Sequence, residues 1–130
     1  MFICHPDFAN LAPINVYHKE MDTTPVPKVP EQYQNRHILF RKKFHLADTK
    51  NAMLKITADD YYKLYINGQF VTQGPAAGYP NAYYYNELDV SKYLQKGENT
   101  FAVHTYYQGL INRVWVSGDQ KQCLYFDLTI

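Results

Sequence analysis

Leu54-Lys55-Ile56-Thr57-Ala58-Asp59-Asp60-Tyr61-Tyr62-Lys63-Leu64-Tyr65-Ile66-Asn67-Gly68-Gln69-Phe70-Val71 is the stretch that decides the fold class of this 130-residue chain. Apolar and polar residues alternate along it with a period of two, the signature of strands with one buried face. Leu54, Ile56 and Ala58 share one face while Lys55 and Thr57 share the other. Further on, Tyr62, Leu64 and Ile66 oppose Tyr61, Lys63 and Tyr65. Asn67-Gly68 then suits a two-residue hairpin turn whose central positions both need positive φ, which Asn tolerates and Gly adopts freely. The expected class is antiparallel β.

Working outward, the same alternation returns on both sides. Over residues 38–46, Phe40, Phe44 and Leu46 point one way and Arg41, Lys43 and His45 the other, with Lys42 out of phase. A turn at 47–50 separates that run from the next. Downstream, residues 69–73 make the return strand, and 74–81 hold two Gly and two Pro, which marks a loop. Residues 83–90 resume as strand. Asp89 to Leu94 reads as a capped helical turn, stopped by Gly97 as a left-handed cap. In 99–107, Phe101, Val103 and Thr105 oppose Ala102, His104 and Tyr106. A second long loop over 108–122 leads to a last strand, where Leu124, Phe126, Leu128 and Ile130 alternate with Tyr125, Asp127 and Thr129.

The first 36 residues lack periodicity and hold Pro6, Pro13, Pro25, Pro27 and Pro30, five of the seven prolines. Proline removes a ladder donor and breaks helices, so 1–36 reads as an irregular arm with an edge strand at 14–18. The predicted architecture is all-β: a β-sandwich of jelly-roll type over 37–130, with one short helical turn. Because Ile130 falls inside a well-patterned strand, the sandwich is expected to be truncated at its C-terminal end and the chain cut from something larger.

A net charge of +1 gives no global electrostatic grip on nucleic acid or an anionic membrane, so neither is an expected partner. No apolar run is long enough for a transmembrane helix, and the first seven residues lack the basic start and apolar core of a secretion signal. A cytoplasmic protein is expected, with Cys4 and Cys123 as free thiols. The 13 tyrosines suit half-buried pleated surfaces, and the same ring serves sugar-binding sites as a flat apolar platform.

No catalytic constellation stands out. Asp59 and Asp60 are adjacent in a strand pattern and face opposite sides, so a structural role is expected, accepting hydrogen bonds from backbone or from Asn67. The five histidines show no metal-ligand spacing, and no phosphate loop, nucleophile elbow or Asp-rich calcium loop is visible. No cofactor or metal is expected. The two long loops do carry chemistry. One holds Tyr79, Asn81, Tyr83 and Tyr84; the other holds Tyr107, Gln108, Asn112, Arg113, Trp115 and Asp119. Rings with planar polar groups suit sugars. Tyr, Trp and Arg are equally the residues of domain interfaces. For Trp115, closure of the sandwich core is the plainer alternative.

A set of ordered segments carries a resemblance. They are Phe40-Arg41-Lys42-Lys43-Phe44, the run from Ile56 to Gly68, Gln73-Gly74-Pro75, and Tyr84-Tyr85-Asn86-Glu87-Leu88-Asp89-Val90. Tyr93-Leu94, Gly97-Glu98-Asn99 and the run from Tyr106 to Trp115 complete the set. Together they resemble the N-terminal β-sandwich module of bacterial α-L-rhamnosidases, a galactose-binding-like jelly roll. The resemblance implies a non-catalytic accessory module of an inverting glycoside hydrolase. In such enzymes the carboxylate pair lies in a separate (α/α)-barrel, so no catalytic residue carries over to this chain. The implied partners are that barrel and a rhamnose-containing glycan. A free-standing lectin-like module and a purely structural sandwich are the alternatives.

Overall fold

The structure, a computed structural model, describes residues 2–9, 31–76, 78, 82–109 and 123–130. Eight strands are present among them: β1 (Ile3–Cys4), β2 (Arg36–Leu46), β3 (Met53–Ala58), β4 (Tyr61–Ile66), β5 (Gln69–Gly74), β6 (Asn86–Asp89), β7 (Gly97–Tyr107) and β8 (Cys123–Thr129). They form two antiparallel sheets, ordered β1-β8-β3-β6 and β2-β7-β4-β5. Eight strands divided in this way make the expected sandwich of jelly-roll type. The β4–β5 hairpin turns where the sequence predicts, with positive φ at both Asn67 and Gly68. No helix among the described residues is long and apolar enough to cross a membrane.

The alternating residues fill the space between the sheets. Leu54, Ile56 and Ala58 from β3 meet Tyr62, Leu64 and Ile66 from β4 and Phe101 and Val103 from β7, all buried. Burying each such aliphatic side chain stabilises the fold by about 1.5–3 kcal/mol. Phe101 bridges the layers, stacked on Phe44 of its own sheet at 5.0 Å and edge-on to Phe126 of the other at 4.7 Å. Lys42, the residue out of phase, pairs across from Phe101 and is exposed because β2 is an outer strand. A charge in an inward position on such a strand discourages pairing with another chain.

Four expectations are corrected. First, Cys4 and Cys123 are not free: they face each other across β1 and β8, with Cα atoms 4.4 Å apart, and form a disulfide. Strand pairing across 119 residues of sequence brings them together, which neither count nor spacing could reveal. Second, Gly97 has positive φ but opens β7; the short 3-10 turn Ser91–Tyr93 ends in the extended Leu94. Third, the strand expected at 83–90 is the shorter β6, which leaves Tyr84 and Tyr85 exposed. Fourth, Asn67 does not serve Asp59 or Asp60; its amide donates to the Tyr93 carbonyl and to Asn99 Oδ1.

Within 1–36, the described ends pack on the body. β1 borders β8, and Phe8 is buried edge-on to Tyr107 at 5.3 Å, with Tyr33 and Ile38 against them. The strand expected at 14–18 lies outside the described residues.

Candidate functional site

Asp59-Asp60 is where the chain leaves the first sheet at the end of β3 and enters the second at β4. Each backbone N–H donates to a different layer, Asp59 to the Cys123 carbonyl and Asp60 to the Tyr106 carbonyl, both at 3.0 Å. Both side chains are buried, 3% and 5% exposed. Asp59 Oδ2 accepts from the Tyr83 hydroxyl at 3.3 Å, and Asp60 Oδ2 from the Gln108 N–H at 2.8 Å. The carboxylates thus tie the end of one loop, at Tyr83, and the start of another, at Gln108, to the crossover. That is the structural role expected, with backbone and tyrosine as the donors.

The loop candidates separate. Tyr83 anchors on Asp59 and packs on Phe2 at 5.5 Å, within a shallow hollow also lined by Tyr85 and Tyr125. Tyr84 presents its side chain to solvent, while its carbonyl accepts from Thr57 Oγ1 at 2.6 Å. Tyr107 has no exposed surface, so it belongs to the interior beside Phe8 and offers no face to a ligand. Gln108 is held through its own backbone by Asp60 and by the Asn35 N–H at 3.1 Å. Tyr79, Asn81, Asn112, Arg113, Trp115 and Asp119 lie outside the described residues.

A cleft of about 630 Å³ lies elsewhere, across the outer face of the second sheet. Register builds it. Tyr61 pairs with Tyr106, and Tyr106 with His37, so three rings form one row across β4, β7 and β2. One step along, Gln73, Lys63 and His104 form a second row across β5, β4 and β7. His37 packs on Tyr106 at 4.8 Å, and its Nδ1 lies 2.9 Å from His104 Nε2, within hydrogen-bond distance. At the rim, the buried Tyr62 donates its hydroxyl to Asn86 Oδ1 at 2.7 Å, and burial raises the Tyr62 pKa. Gly74 borders the same pair: a Cβ there would lie 2.5 Å from Asn86 Oδ1. His104 appears in the sequence as an ordinary polar-face residue, and only the strand register shows it facing His37.

The His104 imidazole is held below its ordinary pKa, first by burial and then by His37 and Lys63. The unfolded chain therefore takes up that proton at a higher pH than the folded one, and stability falls as pH drops through the histidine range. Asp89 and Glu98 are held below the usual carboxylate range by hydrogen bonds from Ser91 and Lys43, so their contributions are lost only in stronger acid. The expected result is a melting temperature that declines between about pH 7 and pH 5.5, the window around the ordinary histidine value. His104→Gln should flatten that step and leave the acid limb below about pH 4 unchanged. A wild-type midpoint constant across the upper window would refute it.

Among the described residues, no group of three or more His, Cys, Asp or Glu is placed to hold a metal. No protein-family model matches the chain. No curated protein matches it either. Solved structures do. The chain is 32% identical to the GH78-family rhamnosidase of Bacillus sp. GL1, with a TM-score of 0.67 over 74% of its own length. The likeness is to α-L-rhamnosidases. The α-L-rhamnosidase of Aspergillus terreus aligns over 95% of the chain, at 26% identity and a TM-score of 0.58. The resemblance read from the sequence therefore stands in three dimensions. The chain spans 10% of the Bacillus protein and 15% of the Aspergillus one. It is a glycoside-hydrolase-related β-sandwich domain.

Proposed function

We propose that this chain is a non-catalytic accessory module of an α-L-rhamnosidase-like glycoside hydrolase, docked on the catalytic barrel of its parent. The observation that carries this reading is a fold and sequence likeness confined to about a tenth of a rhamnosidase. The one pair of adjacent carboxylates supports it, because Asp59 and Asp60 are buried and engaged in structural hydrogen bonds. Hydrolysis with inversion needs an acid and a base on opposite sides of a glycosidic bond with room for water between them. On this reading both belong to the barrel.

The docking element is the segment 108–119, with Trp115 and Arg113 as its anchors and the glycan as its other candidate contact. Gln108 and Asp60 fix where it begins, since the Gln108 N–H is bound to a carboxylate at the sheet crossover. A Trp with a neighbouring Arg is the kind of pair that dominates interfaces, and its truncation costs about 2 kcal/mol or more.

The purified chain should release no p-nitrophenol from the aryl α-L-rhamnoside; turnover would refute the reading. Trp115→Ala should leave the melting temperature of the 130-residue protein unchanged. In the parent chain it should weaken domain association roughly 30-fold, the equivalent of that 2 kcal/mol. A midpoint lowered by several degrees would instead place Trp115 in the core. Sugar affinity without any partner domain would favour the lectin reading.

A further inference from the structure

Three sheet edges are blunted against further pairing. β2 carries Arg41, Lys42 and Lys43, β5 has a bulge opposite Leu64 and Tyr65, and β6 is four residues long. Charge, irregularity and shortness each discourage another strand from adding on. The side of β8 that faces away from β3 is different. β3 pairs with β8 from Leu124 to Thr129, but β1 covers the other side only at Cys123 and Leu124. Residues 125–129 have no strand neighbour on that side among the described residues, and no lysine, proline or bulge guards it.

Register identifies the backbone groups left over. The Asp59 N–H donates to the Cys123 carbonyl, so Cys123 turns its backbone groups toward β3. Successive strand residues point theirs to alternate sides. Tyr125, Asp127 and Thr129 therefore serve β3, while Phe126 and Leu128 turn their N–H and C=O groups outward. The 4.4 Å between the Cα atoms of Cys4 and Cys123 agrees, being the spacing of a pair that exchanges no backbone bonds. The side chains beside this edge are open as well. Phe44, Phe126 and Leu128 point between the sheets yet are only partly buried, whereas Leu54, Ile56, Leu64 and Ile66 have no exposed surface. With Lys42, Phe101 and Asp127 the three line a hollow of about 290 Å³.

The geometry selects the occupant. In a second copy, antiparallel self-pairing over 125–129 would set Asp127 opposite Asp127, and like charges directly opposite destabilise a sheet. A following segment of the same polypeptide has no such conflict. The accessory-module reading, on which this inference rests, places more of the parent after Ile130. β3 already occupies one side of β8, so a chain that reverses in a tight turn after Ile130 meets the vacant side.

We propose that the outer side of β8 is the docking edge for the next segment of the parent polypeptide, which pairs antiparallel with residues 125–129 and sets apolar side chains opposite Phe126 and Leu128, into the hollow. The added strand closes the first sheet and makes β8 the joint between this module and the rest of its parent.

Amide hydrogen exchange tests this on the 130-residue protein and on two versions extended from Ile130. One tail is Asn-Gly-Lys-Thr-Val-Lys-Val-Thr, whose two-residue turn sets its valines opposite Leu128 and Phe126 and its second lysine opposite Asp127. The other, Asn-Gly-Lys-Val-Thr-Lys-Thr-Val, has the same composition with its valines in the opposite phase. In the 130-residue protein the Phe126 and Leu128 amides, corrected for intrinsic rates, should exchange at least roughly a hundredfold faster than those of Tyr125 and Asp127. The first tail should slow these two amides at least roughly tenfold and raise the melting temperature, and the second should do neither. The chain carried on into its own coding sequence past Ile130 should slow the same two amides. Slow exchange at Phe126 and Leu128 in the 130-residue protein would mean that another part of this chain holds the edge, and would overturn the proposal. So would equal effects of the two tails, or a native continuation that leaves both amides fast. That last result would overturn this inference alone, whereas a coding sequence that stops at Ile130 would remove the parent and the module reading with it.

Discussion

Opening the Cys4–Cys123 bridge should lower the melting temperature of this protein by roughly 15 °C, the equivalent of about 4–5 kcal/mol for a domain this size. The bridge spans 119 residues, so it closes nearly the whole chain into one loop. Its main effect in the chain-entropy account is to shrink the unfolded ensemble, and that effect grows with loop length. A second contribution acts in the folded state. β1 is only two residues long and pairs with β8 at Ile3 and Cys4, too few ladder bonds to hold a strand unaided. The 3-10 turn that follows buries Phe8 against Tyr107, so a released β1 loosens that cluster as well. Melting curves with and without reductant, alongside Cys4→Ser combined with Cys123→Ser, give the measurement. Reductant should reproduce the double variant's midpoint and have no effect on the double variant itself. A midpoint indifferent to reductant would overturn the expectation.

The architecture was legible because burial imposes a period of two, and Leu54, Ile56, Tyr62, Leu64 and Ile66 all obey it. Which strands share a sheet was not. β3 and β4 are joined by two residues, like the arms of a hairpin, yet they lie in different layers. Local sequence sees only that Asp59-Asp60 is polar; the partners that split it between layers, Cys123 and Tyr106, are more than 40 residues away. The same limit hid the disulfide, whose cysteines sit at opposite ends of the chain.

The candidate site divides along similar lines. Composition grouped Tyr83, Tyr84 and Tyr107 as loop candidates, yet Tyr83 and Tyr84 precede β6 while Tyr107 ends β7, whose phase carries it inward. The cleft escaped entirely. Tyr61, Lys63, His104 and Tyr106 are each unremarkable outward positions of a strand, and His37 lies 67 residues from His104. They become one surface only through the register of β2 on β7 and of β7 on β4. Register depends on the fit of whole faces, which no short window of sequence contains.

Asn99→Ala should destabilise the fold by about 3 kcal/mol, because it removes four part-buried hydrogen bonds at once. Asn99 is 1% exposed and uses its whole amide. Nδ2 donates to the Gln95 carbonyl at 2.6 Å and to the Gly97 carbonyl at 3.1 Å. Oδ1 accepts from the Gln95 N–H at 2.9 Å and from Asn67 Nδ2 at 2.8 Å. Asn67, in turn, accepts from the Thr100 N–H at 2.8 Å and donates to the Tyr93 carbonyl at 3.0 Å. The two amides therefore lock the β4–β5 turn, the Ser91–Tyr93 helical turn and the start of β7 into one unit. At neutral pH Asn99→Asp should fare no better, since its second oxygen would face two carbonyls that need a donor. Because the amides share a bond, Asn67→Ala and Asn99→Ala should be non-additive, the double variant losing less than the sum of the singles. Denaturant melts of the four proteins give the cycle. A loss below about 1 kcal/mol for Asn99→Ala, the ordinary value of one hydrogen bond, would mean that water or a repacked loop replaces the amide. Strict additivity would mean that the two asparagines act separately and that the turn is held by its backbone alone.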